Sequence, residues 1–257
     1  MTSQHVPQST QADIGRLVGL SGEQADTVLQ LISLAENGEV AWWKHYNYIE
    51  RLGDGRGYTV TIFGACSGTG DLLMIFDELA TLSPQHPLLK YRAALKKCKG
   101  EHVCGIEGLL KDIPRLGDDT AWQAAVWKVY LDLYWKFAKD FAAKTGECAS
   151  RPGPVLTTAL AKGFCVDTAI NHGPDMDSFA KILKRMAKPQ ERDEARWLED
   201  FMRTREKMLK AGFEDLDTSR SGDRCKLWLG VLKQGNVSLQ RPIPACNGYW
   251  GKGVVVK

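Results

Sequence analysis

The chain has 257 residues, of which 44% are hydrophobic and 25% are charged, proportions that are typical of a globular protein. The formal net charge is only +3 and the basic residues are dispersed, which argues against a nucleic-acid-binding face. No run of 18 or more apolar residues occurs, so the sequence predicts no membrane-spanning helix.

The N-terminal residues 1–15 are polar and lack the apolar stretch of a signal peptide. Either the protein stays inside the cell, or a leader was removed and Met1 was added for expression. The length accommodates one large domain or two lobes of modest size. Because no internal repeat and no clear linker divides the chain, we expect a single domain over residues 1–257.

The seven cysteines show neither C-x-x-C spacing nor a zinc-like grouping with histidine, so we expect no metal site. Cys98 and Cys104 are close in sequence, as are Cys225 and Cys246 in the C-terminal segment. Six of the seven cysteines could form three disulfides, which would favour an oxidising compartment. Cys66 is expected to be the odd thiol, buried and unreactive, because no nearby histidine supplies a base.

The first strong helical signal begins at Ser21, which forms a capping-box pattern with Gln24. Apolar residues then recur with helical spacing, and Asn37-Gly38 is a typical helix end. Glu36 continues the apolar stripe. We therefore expect a carboxylate on the buried face of the helix, where burial and the negative end of the helix dipole would favour its protonated form. The alternative is that Glu36 points into solvent at a frayed helix end.

A second helical pattern runs through residues 41–52, and a glycine-rich turn follows it. In this turn, Gly-Asp-Gly-Arg-Gly, Asp54 lies beside Arg56. Backbone N–H groups and a guanidinium lower a carboxyl pKa, so we expect Asp54 to stay ionised. Asp54 could instead be an ordinary turn-forming residue. A phosphate-binding loop is disfavoured because the G-x-G-x-x-G spacing and a Walker lysine are missing.

Alternating residues from Tyr58 to Phe63 predict a short strand. The next glycine cluster leads into a predicted helix with Asp71 in its first turn. An acidic residue is favourable there in any case because of the helix dipole.

Further helices are predicted from residue 118 to the Gly146 region, from Leu156 to an end near His172, after a cap at Asp177-Ser178, and across residues 191–211. Arg205 lies on an apolar stripe of the last of these helices. A buried arginine requires an acidic partner, and Asp167, on another core-facing stripe, is the best candidate. Alternatively, Arg205 extends its head group to solvent. The tail after residue 216 shows two short alternating runs between proline and glycine breaks.

Glu36 and Asp54 are thus two carboxylates whose predicted environments favour opposite protonation states. Such a pair is the equipment of glycoside hydrolysis.

The motifs around this pair resemble those of the family 46 chitosanases, which hydrolyse β-1,4-linked glucosamine polymers. In the N-terminal block the similar residues are Ala35-Glu36-Asn37, Tyr48-Ile49-Glu50, Gly53-Asp54-Gly55-Arg56-Gly57-Tyr58-Thr59 and Cys66-Ser67-Gly68-Thr69-Gly70-Asp71. Isolated matches follow at Asp167, His172-Gly173-Pro174 and Asp217-Thr218-Ser219-Arg220. The cysteines between residues 98 and 154 do not belong to the family pattern, so loops there are expected to differ.

The resemblance implies that Glu36 is the general acid, Asp54 the general base, and Thr59 a residue that holds the attacking water, with inversion at the anomeric carbon. It further implies a set of sugar-binding residues and a supporting charge network. The sugar-binding residues are Tyr48, Arg56 and Asp71; the network residues are Asp167, His172, Arg205 and Arg220. The implied role of Asp71 is to bind a glucosamine ammonium.

The fold implied by the resemblance is α+β and mostly α: a lysozyme-like catalytic domain of two lobes with a small β-sheet and a substrate cleft between them. We accordingly expect a secreted monomer that binds chitosan and glucosamine oligomers, uses no cofactor or metal, and binds neither nucleic acid nor membrane. Two alternatives stay open. One is a peptidoglycan-acting, lysozyme-like hydrolase or lytic transglycosylase, and the other is a non-catalytic carbohydrate-binding protein.

Overall fold

The computed structural model describes residues 5–147, 152–187, 193–211, 222–245 and 253–257. The longer helices in these segments are α1 (Gln8–Val18), α2 (Gly22–Asn37), α3 (Asp71–Leu82), α6 (Thr120–Tyr130), α7 (Lys136–Lys144), α8 (Ala159–His172), α9 (Met176–Leu183), α10 (Glu194–Lys210) and α11 (Gly222–Lys233). Two single-turn helices are α4 (Arg92–Leu95) and α5 (Leu109–Asp112). The strands are β1 (Ile49–Arg51), β2 (Tyr58–Val60), β3 (Ala65–Cys66), β4 (Ile243–Ala245) and β5 (Val254–Val256).

Helix α2 has the termini that its sequence predicts. The Ser21 hydroxyl accepts a hydrogen bond from the Gln24 N–H, and the Gln24 side chain accepts one from the Ser21 N–H, which completes the capping box. At the other end, Gly38 adopts φ 72° and its N–H donates to the Leu34 carbonyl. A left-handed residue after the last turn is what glycine allows most readily, so the helix ends there.

The helix predicted for residues 41–52 is wrong. Only Trp42–His45 form a short 3₁₀ turn, and the chain then enters β1, where Ile49 pairs with Val60 and Glu50 with Thr59 of β2. An aromatic and β-branched stretch fits a strand as well as a helix, and pairing with β2 decides between them. The sheet order is β1-β2-β3, all antiparallel, and Thr59 pairs in turn with Cys66.

The helices in the middle of the chain largely follow the sequence pattern. Asp119 caps α6, a π-helical segment (Leu131–Trp135) interrupts the predicted long helix, and α7 completes it. The cap of α9 lies two residues before the predicted Asp177, because Asp175 accepts the capping hydrogen bond from the Ser178 N–H. Helix α11, in the segment where the sequence suggested short alternating runs, was not predicted.

The chain divides into two compact units. The sheet unit comprises Trp42–Leu133 with the N-terminal segment that ends at Gln11 and contains β1–β3. The helix unit comprises Ala12–Ala41 and Tyr134–Lys257. Each unit has its own aromatic core. Trp42, Phe76, Trp122, Trp127 and Tyr130 are buried in the sheet unit, and Phe141, Phe164, Phe179, Trp197, Phe201 and Trp228 in the helix unit.

The mostly helical α+β class predicted from the sequence is confirmed. None of the helices in the described residues is both long and apolar enough to cross a membrane.

The expectation that six of the seven cysteines form three disulfides is wrong, because five of them, Cys66, Cys98, Cys104, Cys165 and Cys225, are free thiols. The other two, Cys148 and Cys246, lie outside the described residues. Cys98 is buried with its Sγ 3.5 Å from the Ala94 carbonyl oxygen, whereas the Cys104 side chain is exposed, so the two thiols face different environments. The prediction that Cys66 is buried is confirmed. Burial raises the pKa of the Cys66 thiol, which keeps it protonated and unreactive.

Candidate active site

Glu36 lies in the last turn of α2, as predicted, but not on a buried face. Its side chain is 42% exposed, so the prediction of a buried carboxylate is wrong. The buried stripe of the helix ends at Leu34, and the residues that follow it approach the Gly38 terminus and are open to solvent. What restrains Glu36 is an ion pair instead: Arg224 Nη2 lies 2.6 Å from Glu36 Oε1.

Arg224 also contacts a fully buried carboxylate. Its Nε and Nη2 donate to Asp167 Oδ1 at 3.1 and 2.9 Å. Arg205 Nη1 donates to the other oxygen, Asp167 Oδ2, at 2.5 Å. The predicted partnership of Arg205 with Asp167 is therefore confirmed, and both side chains are 0% exposed.

These four residues form a network, in the order Glu36, Arg224, Asp167 and Arg205, in which two carboxylates meet two guanidinium groups. Burial of the Asp167 carboxyl opposes ionisation, but Arg224 and Arg205 outweigh it and hold the pKa of Asp167 below its usual range. A buried charge is tolerated when it is paired and hydrogen-bonded in this way.

His172 ends α8, the helix that carries Asp167. Its burial and the neighbouring Arg205 and Arg224 lower the pKa of His172 to about 3, so its ring is neutral above that pH. Arg220, which the sequence assigned to the network, lies outside the described residues.

Arg224 is the residue that sequence reasoning missed. It lies on α11, the helix that was not predicted, and it is 4% exposed. A signal was available, because Arg224, Trp228 and Val231 recur at helical spacing and Trp228 and Val231 are buried. The same pattern of an arginine on an apolar stripe had identified Arg205.

In the sheet unit, Asp54 lies in the glycine-rich turn between β1 and β2. It accepts hydrogen bonds from Arg56: from Nε at 2.9 Å and Nη2 at 2.5 Å to Oδ2, and from the backbone N–H at 3.2 Å to Oδ1. The Arg56 side chain and its N–H lower the pKa of the Asp54 carboxyl. The predicted contact between Asp54 and Arg56 is confirmed, and it favours the ionised carboxylate.

Thr59 lies in the middle of the sheet, with its neighbours set by the strand register. Its side chain is 7% exposed, and its Oγ1 lies 3.6 Å from the Cys66 Sγ on β3. The Cys66 Sγ is also 3.2 Å from the Gly64 carbonyl oxygen. The direction of the Thr59 hydroxyl is therefore restricted by the strand that carries it and by the Cys66 Sγ.

Tyr48 and Asp71, two of the expected sugar-binding residues, also lie in the sheet unit. The Tyr48 hydroxyl donates to Glu50 Oε2 at 2.6 Å, and partial burial with this carboxylate raises the pKa of Tyr48 to about 12. Asp71 is the first residue of α3, and its Oδ2 accepts a hydrogen bond from the Thr69 hydroxyl at 3.1 Å. The hydrogen bond to Asp54 is the main cause of a raised pKa of Arg56, and Cys66 and Asp71 add smaller electrostatic effects.

In the sheet unit, Asp54 pairs with Arg56, and Asp71 is near enough to act on Arg56 electrostatically. Thr59 lies on β2, and Tyr48 directly precedes β1. The helix unit brings together Glu36, Asp167, Arg205 and Arg224. Each unit supplies one restrained and partly exposed carboxylate, Glu36 paired with Arg224 and Asp54 paired with Arg56. The prediction that the two carboxylates have opposite environments is therefore wrong, because an arginine contacts each of them.

Comparison with known proteins identifies relatives of this chain. Residues 30–243 match the family model described as glycosyl hydrolase family 46. The chain is 33% identical to a chitosanase of Streptomyces sp. (strain N174) over 85% of this chain and 77% of that protein. It is 32% identical to a chitosanase of Bacillus subtilis (strain 168) over 92% of this chain and 87% of that protein.

Solved structures agree in fold. A crystal structure of native chitosanase from Bacillus subtilis MY002 superposes with a TM-score of 0.78 at 30% identity, covering 93% of this chain and all of that one. A mutant of that chitosanase has been crystallised in complex with 6 GlcN.

Proposed function

This chain belongs to glycosyl hydrolase family 46, and we propose that it is an endo-acting chitosanase that hydrolyses β-1,4 linkages between glucosamine units with inversion. The observation that carries the proposal is that the family match spans both Glu36 and Asp54, together with the Arg56 contacts that keep Asp54 ionised. Relatives of at least 30% identity are chitosanases.

In the proposed mechanism, Glu36 donates a proton to the glycosidic oxygen as the bond to the anomeric carbon breaks. Asp54 accepts a proton from a water molecule, whose oxygen forms the new bond to that carbon from the opposite face. Thr59 holds this water through its hydroxyl. Inversion by this route generally requires carboxyl groups about 6.5–9.5 Å apart, which leaves room for the water. After release of both products, proton exchange with solvent restores the starting state.

Arg224 and Asp167 have a supporting part in this scheme. The Arg224 guanidinium holds Glu36 Oε1, and Asp167 and Arg205 hold that guanidinium in turn. We propose that this network, with His172 beside it, orients the acid without touching the sugar. Rigid support of this kind matters because small displacements of a catalytic group cost large factors in rate.

Asp71 supports the choice of a glucosamine polymer. A carboxylate beside Arg56 can accept a charge-assisted hydrogen bond from a sugar ammonium, which an N-acetylated sugar cannot provide. Tyr48 and Arg56 offer further polar groups to the same sugar chain. We propose that the enzyme acts as a monomer, as one catalytic domain made of both units, without a cofactor. Because its substrate is a polymer outside cells, we also propose that it is secreted.

A product analysis tests this function. The enzyme is incubated with partially acetylated chitosan and, separately, with peptidoglycan. Viscosity, oligomer length and the anomeric configuration of the first products are followed by viscometry, mass spectrometry and NMR. A rapid fall in viscosity with chitosan and inverted products are expected, and Glu36→Gln and Asp54→Asn should each lower the rate by orders of magnitude.

Other outcomes identify the alternatives. Cleavage of peptidoglycan alone would replace the chitosanase by a lysozyme-like hydrolase or lytic transglycosylase. Products of retained configuration would require a covalent intermediate and a different role for Asp54. Binding of glucosamine oligomers without any cleavage would leave a carbohydrate-binding protein.

A further inference from the structure

The glycine-rich turn that carries Asp54 has little packing of its own. Gly53 and Gly55, on either side of Asp54, have φ 71° and 88°, and a Cβ placed on either one would meet nothing within 4 Å. Glycine has the largest backbone freedom of any residue, so a turn of this composition needs external contacts to keep one shape. Arg56 fixes the Asp54 carboxylate only relative to the turn itself.

An external contact comes from Glu101, far away in sequence. Its Oε1 accepts a hydrogen bond from the Gly55 N–H at 2.7 Å. Its Oε2 accepts one from Arg51 Nε at 3.1 Å, and Arg51 Nη2 donates to the Glu101 carbonyl at 3.3 Å. One carboxylate therefore connects the end of β1 with the peptide that directly follows Asp54.

The loop that carries Glu101 is itself packed against the turn. The Gly100 N–H donates to the Gly68 carbonyl at 3.2 Å, and the Gly68 N–H donates to the Arg56 carbonyl at 2.9 Å. A Cβ on Gly68 would collide with the Gly100 carbonyl oxygen, and one on Gly57 would lie 3.0 Å from the same atom. The Gly100 backbone can pack this closely because positions 57 and 68 are glycines without a Cβ. The loop that carries Glu101 is therefore held in one position beside the turn.

We propose that Glu101 is a positioning residue for Asp54. Its two carboxylate oxygens match two donors, the Gly55 N–H and the Arg51 guanidinium, and an ionised carboxylate accepts from both at once. By holding the peptide after Asp54, Glu101 complements Arg56, which holds the carboxylate. The inference rests on the proposed role of Asp54 as the base, and it assigns a function to a loop that the resemblance to the family did not cover.

The expected effect is on catalysis more than on stability. The Glu101 and Arg51 side chains are 38% and 51% exposed, and exposed ion pairs contribute little to folding. Misplacement of a base by a fraction of an ångström, in contrast, lowers the rate of the chemical step. Substrate affinity should change little, because Glu101 is not assigned to a sugar contact.

Three variants test the proposal. Glu101→Ala removes both acceptors. Glu101→Gln keeps an oxygen for the Gly55 N–H but loses the acceptor for Arg51. Glu107→Ala is the matched control, because Glu107 Oε2 also accepts a hydrogen bond from a glycine N–H at 2.8 Å, but from Gly105 and not from a residue of the Asp54 turn. The measurements are kcat and KM on chitosan, the melting temperature, and the hydrogen-exchange rate of the Gly55 amide by NMR.

For Glu101→Ala we expect kcat to fall about tenfold with KM within about twofold of the wild type, and faster exchange of the Gly55 amide. Glu101→Gln should recover most of kcat, to within about threefold of the wild type, and most of the amide protection. Glu107→Ala should match the wild type in all of these measurements.

The proposal is overturned if Glu101→Ala keeps the wild-type kcat, if Glu101→Ala and Glu107→Ala lose equal activity, or if exchange of the Gly55 amide does not change. Should the alanine variant fail to fold, Glu101→Gln decides: a kcat and a Gly55 amide exchange rate that both equal those of the wild type would overturn the proposal, and a small loss of both would support it. Failure of the proposed function is recognised separately, because wild-type and Asp54→Asn proteins would then be equally active, or equally inactive, on chitosan.

Discussion

Arg224 connects Glu36 to Asp167: its Nη2 lies 2.6 Å from Glu36 Oε1 and 2.9 Å from Asp167 Oδ1. A guanidinium has several donors in a fixed plane, so it can hold two carboxylates in one geometry, which a lysine ammonium cannot do. The exposed carboxylate of Glu36 is thereby restrained by a contact that is itself buried. Its position depends on residues that no sugar would touch.

Replacing Arg224 should therefore affect both stability and catalysis. In Arg224→Ala, Asp167 keeps only Arg205 as an ion-pair partner from this network, and breaking a buried pair typically costs about 3–5 kcal/mol. The melting temperature should fall by several degrees, and kcat of the folded protein by about 100-fold because Glu36 loses its restraint. Arg224→Lys should lie between Arg224→Ala and the wild type.

The matched control is Arg203→Ala on α10. Arg203 forms an ion pair with Glu199, and its side chain is 47% exposed. It should leave both kcat and melting temperature nearly unchanged. If Arg224→Ala melts early but its folded fraction turns over at the wild-type rate, Arg224 is a stability residue only.

The pH profile tests the influence of Arg56 on Asp54. The Arg56 side chain lowers the pKa of Asp54, so the carboxylate stays ionised as the solution becomes acidic. In Arg56→Gln the pKa of Asp54 should rise towards its ordinary range. A base must be deprotonated to work, so the acid limb of kcat/KM should move to higher pH. Arg56→Lys, which keeps a charge, should move it less.

Arg92→Gln is the control for this profile, because Arg92 forms a comparable pair with Asp77, with Nε 2.6 Å from Oδ1, in the same unit. Its acid limb should coincide with that of the wild type. An acid limb that stays in place in Arg56→Gln would mean that Asp54 is not the group whose titration limits the reaction.

Asp71→Asn tests substrate recognition. Loss of the charge should raise KM for fully deacetylated chitosan about tenfold, equivalent to about 1.4 kcal/mol of binding. The loss should be smaller on highly acetylated chitosan, whose sugars offer fewer ammonium groups. Asp77→Asn, on the same helix, is the control and should leave KM unchanged. Equal KM values for Asp71→Asn and wild type on every substrate would remove Asp71 from the ammonium site.

Thr61 carries backbone strain next to the sheet. It has φ 72° although it is β-branched, it is 3% exposed, and its Oγ1 has no hydrogen-bond partner among the described residues. Such a conformation costs about 1–3 kcal/mol, so Thr61→Gly should raise the free energy of unfolding by about 1 kcal/mol after the loss of packing and the added chain entropy. The melting temperature should rise by about 2–4 °C.

Leu239→Gly provides the contrast, because Leu239 also has a positive φ, 57°, but buries an apolar side chain that is 2% exposed. Loss of that side chain should outweigh the relief of strain, so this variant should melt below the wild type. A lower melting temperature in Thr61→Gly as well would show that the Thr61 conformation is not strained.

Residues whose environment is local were predictable from the sequence. The capping box at Ser21, the helix end at Gly38 and the ionised state of Asp54 beside Arg56 depend on neighbours within a few positions, so the sequence alone specified them. The pairing of Arg205 with Asp167 was also accessible, because a buried arginine must find an acid and few acids lie on apolar stripes.

The tertiary structure decided the rest. Glu36 is exposed because the buried face of α2 ends at Leu34, two residues before it. Ile49–Arg51 form a strand because β2 is available to pair with them. Arg224 and Glu101 meet their partners across long stretches of chain, at Glu36 and at Gly55. The spacing of apolar residues indicates which side of a segment faces the core. It does not indicate which other segment packs against that side, and the contacts of Arg224 and Glu101 depend on this packing.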